Sequence, residues 1–238
     1  MLLLFDVDGT LVGRAAGEHS RALRAALRQV HRVDPDRLGL RVDPAGRTDN
    51  EIARLLLLEA GVSAKDIDRH RHDVREVCCQ IYAELCPPSL ADKVLPGVAD
   101  LLTWLESEAD VRLSLVTGNF EPVARLKLTR AGLGAHFPHG QGAFGSDSED
   151  RTALPHIARK RAGVHGIAHP RADTIVIGDT PRDIICARAD EVRCLAVATG
   201  PYGVDELSDA DGVARGAAEL RPLLEAALAD SRSGGARA

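Results

Sequence analysis

The sequence predicts an α/β protein: a doubly wound parallel sheet with an all-helical segment inserted after its first strand. Three observations predict it. The opening stretch MLLLFDVDGTLV is an uninterrupted apolar run that ends in two aspartates. Residues 13–91 show helical periodicity and no strand pattern. From Pro96 onward, helical and strand patterns alternate, which signals βαβ units and a parallel sheet.

Leu2, Leu3, Leu4 and Phe5 suit a strand buried on both faces. Asp6 and Asp8 would point to the same side if that strand continued. Gly9 and Thr10 break it, so both carboxylates fall at its carboxyl end, the edge where open parallel sheets bind ligands. Leu23, Ala26, Leu27 and Val30 then recur at helical spacing and predict a helix from about Ala15 to residue 31. Pro35, Gly39, Pro44 and Gly46 mark a loop. Thr48 and Glu51 form an S/T-x-x-E signal ahead of Ile52, Leu55 and Leu56, so a second helix starts there and stops near Gly61. Ser63 and Asp66 repeat the signal for a third helix that ends before Pro87.

In the second half, Val98, Leu101, Leu102 and Leu105 line one helix face, and residues 111–116 read as a buried strand. Helices are expected over 120–131, closed by Gly132, and over 152–162, 181–189 and 217–228, with strands over 174–177 and 192–197. The tail SRSGGARA, residues 231–238, reads as disordered. The expected division is a core domain of residues 1–13 and 92–230 and a helical domain of residues 14–91.

Of the 238 residues, 45% are hydrophobic and 27% charged, as in an ordinary globular protein. The net charge is -5, with no block of five or six like charges, which argues against nucleic acid or a membrane as partner. A monomer or homodimer acting on a small molecule is the expectation. The opening apolar run is too short for a signal peptide or a span, so a cytoplasmic location is expected. Five cysteines without a C-x-x-C spacing suit buried free thiols, and nine scattered histidines without H-E-x-x-H argue against a zinc hydrolase.

Two carboxylates as close as Asp6 and Asp8 raise one another's pKa unless a cation or a shared proton relieves them. Mg²⁺ is the usual remedy, because it takes oxygen ligands from one or two carboxylates together with a substrate phosphate. Taken alone, the pair could also cap a turn before Gly9. Further segments favour the first reading. FDVDGTLV resembles the first motif of the haloacid dehalogenase superfamily, which implies a Rossmann-like core, a cap made by the helical insert, and Mg²⁺-dependent phosphatase chemistry. By that resemblance Asp6 attacks phosphorus and Asp8 is the general acid and base.

Thr117, Gly118 and Asn119 follow a strand and resemble the second motif, with Thr117 binding the phosphate and Asn119 orienting its neighbours. Asn119 could also cap the next helix. Gly178, Asp179, Thr180 and Asp183 resemble the acidic fourth motif. There Asp179 would ligate Mg²⁺ beside Asp6 and the backbone carbonyl of Asp8, and Asp183 would hold a metal-bound water or back up the site. The third motif, a basic residue often carried as Lys-Pro, is missing in that form. Lys127 stands first for the role and Arg151 second. The loop Gly46, Arg47, Thr48, Asp49 is similar to the G-x-T-D of the phosphoglycolate phosphatase-like branch, with Arg47 or its neighbours facing the substrate. A phosphomutase, a dehalogenase or a non-catalytic metal and phosphate sensor on the same fold are the alternatives.

Overall fold

The computed structural model describes residues 1–13 and 16–235. Six parallel strands form one sheet: β1 (Leu2–Phe5), β2 (Arg112–Thr117), β3 (Ala143–Phe144), β4 (Thr174–Gly178), β5 (Arg193–Val197) and β6 (Gly212–Ala214), in the order β3-β2-β1-β4-β5-β6. β1 lies in the middle, with Leu4 level with Ser114 on one side and Val176 on the other. That strand order reverses direction between β1 and β4, which opens a crevice beyond their carboxyl ends.

The apolar opening run does what its composition demands. Leu3 and Phe5 face one hydrophobic cluster, Leu2 and Leu4 face the other, and all four are almost completely buried. Each such side chain contributes about 2 kcal/mol of burial free energy, so this short strand is fixed by both halves of the core. One face is covered by α4 (Val98–Ser107), α5 (Glu121–Arg130) and α8 (Ala217–Gly235). α6 (Leu154–Ala162) and α7 (Pro181–Ala189) cover the other.

Three helices lie between β1 and α4: α1 (Ala16–His31), α2 (Asp49–Glu59) and α3 (Ala64–Leu85). The expected start of α1 at Ala15 falls outside the described residues. Thr48 caps α2 by accepting from the Glu51 amide at 3.1 Å, and Ser63 caps α3 by accepting from that of Asp66 at 3.2 Å. Ala22, Leu23, Ala26 and Leu27 of α1 share a buried cluster with Val74, Cys78 and Tyr82 of α3.

Three elements differ from expectation. β3 and β6 are strands of two and three residues at the sheet edges, too short to leave an apolar run in the sequence. The stretch read as a disordered tail from residue 231 is helical through Gly235, and α8 is correspondingly longer than 217–228. Its last turns are fastened from the side: Ser231 donates to Asp173 at 2.8 Å, and Arg232 pairs with Glu108 at 2.8 Å. Composition alone cannot register such tertiary anchors.

Candidate active site

The carboxyl edge of the sheet collects the chemistry. Asp6 and Asp8 follow β1, Thr117 to Asn119 end β2, and Asp179 follows β4, so three strands deliver them to one cavity of about 1010 Å³. The helical segment closes it from above with His19, Asp49 and the loop Gly46–Arg47. The expected residues Asp6, Asp8, Arg47, Thr117, Gly118, Asn119, Arg151 and Asp179 all line this cavity. Lys127 and Asp183 lie behind its wall, fully buried and bonded to residues that do line it.

The two aspartates of the opening loop occupy opposite surroundings. Asp6 is grouped with Asp179 and Asp183, each offering a carboxylate oxygen within 4.8 Å of the others. Burial pushes Asp6 up to about 6, against the pull of the Arg151 guanidinium 3.4 Å away. Burial and the charges of Asp183 and Asp6 push Asp179 up to about 9, although Thr10 donates to it at 3.2 Å. Asp183 accepts from the backbone and hydroxyl of Thr180 at 3.0 and 2.7 Å and pairs with Arg151. Three buried acids against one guanidinium would carry excess negative charge if all were ionised, and they form a set of hard oxygen donors. That set fits a divalent cation such as Mg²⁺.

Asp8 turns its carboxylate the other way. Lys127 donates to its two oxygens at 2.8 and 2.6 Å, and the Asn119 amide adds a bond at 2.8 Å. Burial alone would raise its pKa, but the Lys127 ammonium and these hydrogen bonds hold it below the ordinary carboxylate range. The Asp8 carboxylate therefore stands outside the acidic trio, and only its backbone carbonyl is left for the metal contact expected of it. Asn119 also donates to the Thr117 hydroxyl at 2.7 Å rather than capping α5. Thr117 thus has its hydroxyl hydrogen left to offer an anion.

The two basic candidates divide the site between them. Arg151 stands against Asp6 and Asp183, whereas Lys127 stands against Asp8. Arg47 lies on the cavity wall but is already engaged, with Nε donating to the Asp43 carbonyl at 3.0 Å and Nη1 paired with Glu51.

Two glycines are required by close approach. Gly9, at φ +83°, leaves space that a Cβ would take from the Asp179 carboxylate. At Gly118 a Cβ would strike the Arg47 carbonyl, so the helical segment rests directly on the loop after β2.

His19, Thr10 and Thr199 belong to the site without having been singled out from the sequence. Thr199 Oγ1 donates to the Gly9 carbonyl at 2.5 Å and so steadies the loop after β1. His19 did leave a signal, because it sits at helical spacing from Ala22, Leu23 and Ala26 and is a polar residue on the buried stripe of α1.

The family model described as haloacid dehalogenase-like hydrolase matches residues 3–188. Phosphoglycolate phosphatase 1 of Pseudomonas aeruginosa is 27% identical over 202 residues, covering 84% of this chain and 70% of that protein. Among solved structures, the β-phosphoglucomutase of Clostridium difficile superposes with a TM-score of 0.65 at 16% identity, covering 98% of both chains. The structure of CbbY from Rhodobacter sphaeroides in complex with phosphate does so with a TM-score of 0.62 at 19% identity, covering 92% of this chain and 95% of that one. At those identities the two structures report the shared fold.

Proposed function

The chain belongs to the haloacid dehalogenase-like hydrolase family, and from that premise we propose that it is a Mg²⁺-dependent phosphatase acting on a small phosphomonoester through an aspartyl phosphate on Asp6. The observation that carries the reading is the split between Asp6 and Asp8. Two carboxylates one residue apart are held in different charge environments, and such separation is how paired acids acquire different tasks.

Asp6 is the nucleophile in this reading because it belongs to the acidic trio, lines the cavity and lies beside Arg151. Mg²⁺ held by Asp6, Asp179 and the backbone of Asp8, with Asp183 behind, would neutralise charge on the phosphate and keep Asp6 ionised. Thr117 donates its hydroxyl hydrogen to a phosphate oxygen. Splitting the displacement into formation and hydrolysis of an aspartyl phosphate replaces one difficult step by two easier ones. Asp8 gives a proton to the leaving oxygen and later takes one from the attacking water. In the free protein Lys127 and Asn119 keep Asp8 ionised; a phosphate anion beside it competes for the ammonium and raises its proton affinity. Arg151 offsets the negative charge around Asp6, and Lys127 orients Asp8.

Residues 14–91 act as the cap, excluding water and limiting substrates to small diffusible esters. The likeness to a phosphoglycolate phosphatase supports a small anionic ester, with Arg47 on the wall to meet it. The five free cysteines suit a reducing compartment, and a cytoplasmic location is part of the same reading. Among the described residues no helix is long and apolar enough to cross a membrane.

Release of inorganic phosphate from a panel of small phosphate esters tests this reading. Hydrolysis that needs Mg²⁺ and stops with a chelator is the expected result. Release undiminished by a chelator would contradict it, and transfer of the phosphoryl group to a sugar hydroxyl in preference to water would make the protein a phosphomutase.

A further inference from the structure

The cap carries a buried pair with no place in the chemistry so far. His19 on α1 and Asp49 at the start of α2 are 8% and 3% exposed. His19 Nε2 lies 3.0 Å from Asp49 Oδ2, and its Nδ1 lies 3.3 Å from Lys127 Nζ. The same Asp49 oxygen accepts from the backbone N–H of Phe120 at 2.7 Å, and the Asp49 amide donates to the Gly118 carbonyl at 2.8 Å. One carboxylate is therefore shared between the cap and the segment that follows β2.

Donor and acceptor rules fix the state of the ring. A lysine ammonium only donates and an ionised carboxylate only accepts. His19 must therefore accept at Nδ1 and donate from Nε2, which makes it neutral and defines its tautomer. Asp49 selects that tautomer, and Tyr82, edge-on at 5.5 Å between ring centroids, holds the ring in place. Lys127 has three N–H bonds for four acceptor contacts: one goes to Asn119 Oδ1 at 2.7 Å, one is shared by the two Asp8 oxygens, and one goes to His19 Nδ1. The contact with His19 adds a third point of attachment to the ammonium and, through it, favours one orientation of the Asp8 carboxylate.

We infer that His19 and Asp49 are positioning residues of the cap that aim Asp8, through Lys127, at the leaving oxygen, so that the acid is aligned only while the cap is seated on Gly118 and Phe120. The inference rests on the phosphatase reading and adds to it a cap contribution to leaving-group protonation.

The test compares kcat/KM for phenyl phosphate, a poor leaving group, with that for p-nitrophenyl phosphate, which departs with little need of a proton. This ratio reports events up to departure of the alcohol and leaves out hydrolysis of the intermediate. Because general acid catalysis contributes about a hundredfold or more, His19→Ala should lower the value for phenyl phosphate by at least about tenfold and that for p-nitrophenyl phosphate by less than about threefold. His19→Asn, which puts an amide oxygen near the Nδ1 position, should restore much of the loss. Asp49→Ala should behave as His19→Ala does, and Asp49→Asn, which keeps an oxygen for both donors, should resemble His19→Asn and tests the pair even if Asp49→Ala does not fold. An equal fall on both esters would assign the pair to cap seating and overturn the inference, as would no fall on either. If the unaltered protein hydrolyses neither ester with Mg²⁺, the phosphatase reading itself fails, an outcome distinct from both.

Discussion

The cavity has two walls that differ in charge. On one, three buried carboxylates from Asp6, Asp179 and Asp183 meet a single guanidinium from Arg151. On the other, Asp8 and Asp49 are bound into an unbroken chain of donors by Lys127, Asn119, His19 and the Phe120 amide. The first wall is short of positive charge and is the one a cation would complete; the second is already satisfied and serves to hold one carboxylate in place. The difference teaches that a motif of two aspartates is not one site. The single residue Val7 between them, fully buried, lets the chain present each carboxylate to its own environment.

The largest effect should come from removing Asp6, the nucleophile proposed on the first wall. Asp6→Asn should reduce turnover to background, a loss of more than about a thousandfold, while thermal unfolding shows an apo protein as stable as the parent or more so, because one buried negative charge is gone. Residual turnover near the parent rate would mean that the two walls are assigned the wrong way round.

The basic residues come next. Losing a charge that acts in a desolvated site costs on the order of 3 kcal/mol, so Lys127→Ala and Arg151→Ala should each slow hydrolysis about a hundredfold. Their dependence should differ. Lys127→Ala should be worst on poor leaving groups, since it frees Asp8, whereas Arg151→Ala should slow all esters alike, since it acts at Asp6. Identical leaving-group profiles would erase the distinction between the walls.

The first wall also predicts a pH dependence of stability. Asp6 at about 6 and Asp179 at about 9 lie above their unfolded value of 3.8, so the folded apo protein holds protons that the unfolded chain has released. Their contribution is present below pH 3.8 and is lost as pH rises through 6 and then 9. Over that range thermal unfolding of the metal-free protein should move to lower temperature, and saturating Mg²⁺ should flatten the trend by stabilising the ionised forms. A metal-free protein whose stability rises from pH 6 to 9 would contradict the crowding of charge described here.

The smallest effect concerns the cap loop. Arg47→Ala should lower kcat/KM several-fold for an ester carrying a second anionic group and hardly change it for an aryl phosphate, provided Arg47 leaves Glu51 to meet that group. A parallel fall on both would leave Arg47 as a cap-folding residue.

Much of this was legible in the sequence, and the exceptions have physical reasons. The apolar run before Asp6 and the helical stripes carry their periodicity in the chain itself, so the sheet centre and α1 to α3 could be read directly. Thr117, Asn119 and Asp179 were legible because each sits where a buried strand ends in polar residues. What stayed hidden depends on contacts distant in sequence. That Lys127 serves Asp8 while Arg151 serves Asp6 follows from how α5 and the turn before α6 pack at the sheet edge, 119 residues from Asp8 in the first case. β3 and β6 are strands by virtue of their neighbours, and the end of α8 is fixed by Asp173 and Glu108. His19 was the recoverable miss, since a histidine on an apolar stripe invites the question of what it meets.

A burst experiment tests the division of labour between Asp6 and Asp8 most directly. With p-nitrophenyl phosphate and Mg²⁺, the Asp8→Asn protein can still expel nitrophenolate, which needs no acid, but lacks the base that activates water for the second step. The account predicts a rapid release of about one nitrophenolate per protein, followed by slow turnover, with the phosphoryl group recovered on the peptide containing Asp6 and no burst in the Asp6→Asn, Asp8→Asn double variant. A burst that survives in the double variant, or a phosphoryl group recovered on any other peptide, would contradict it.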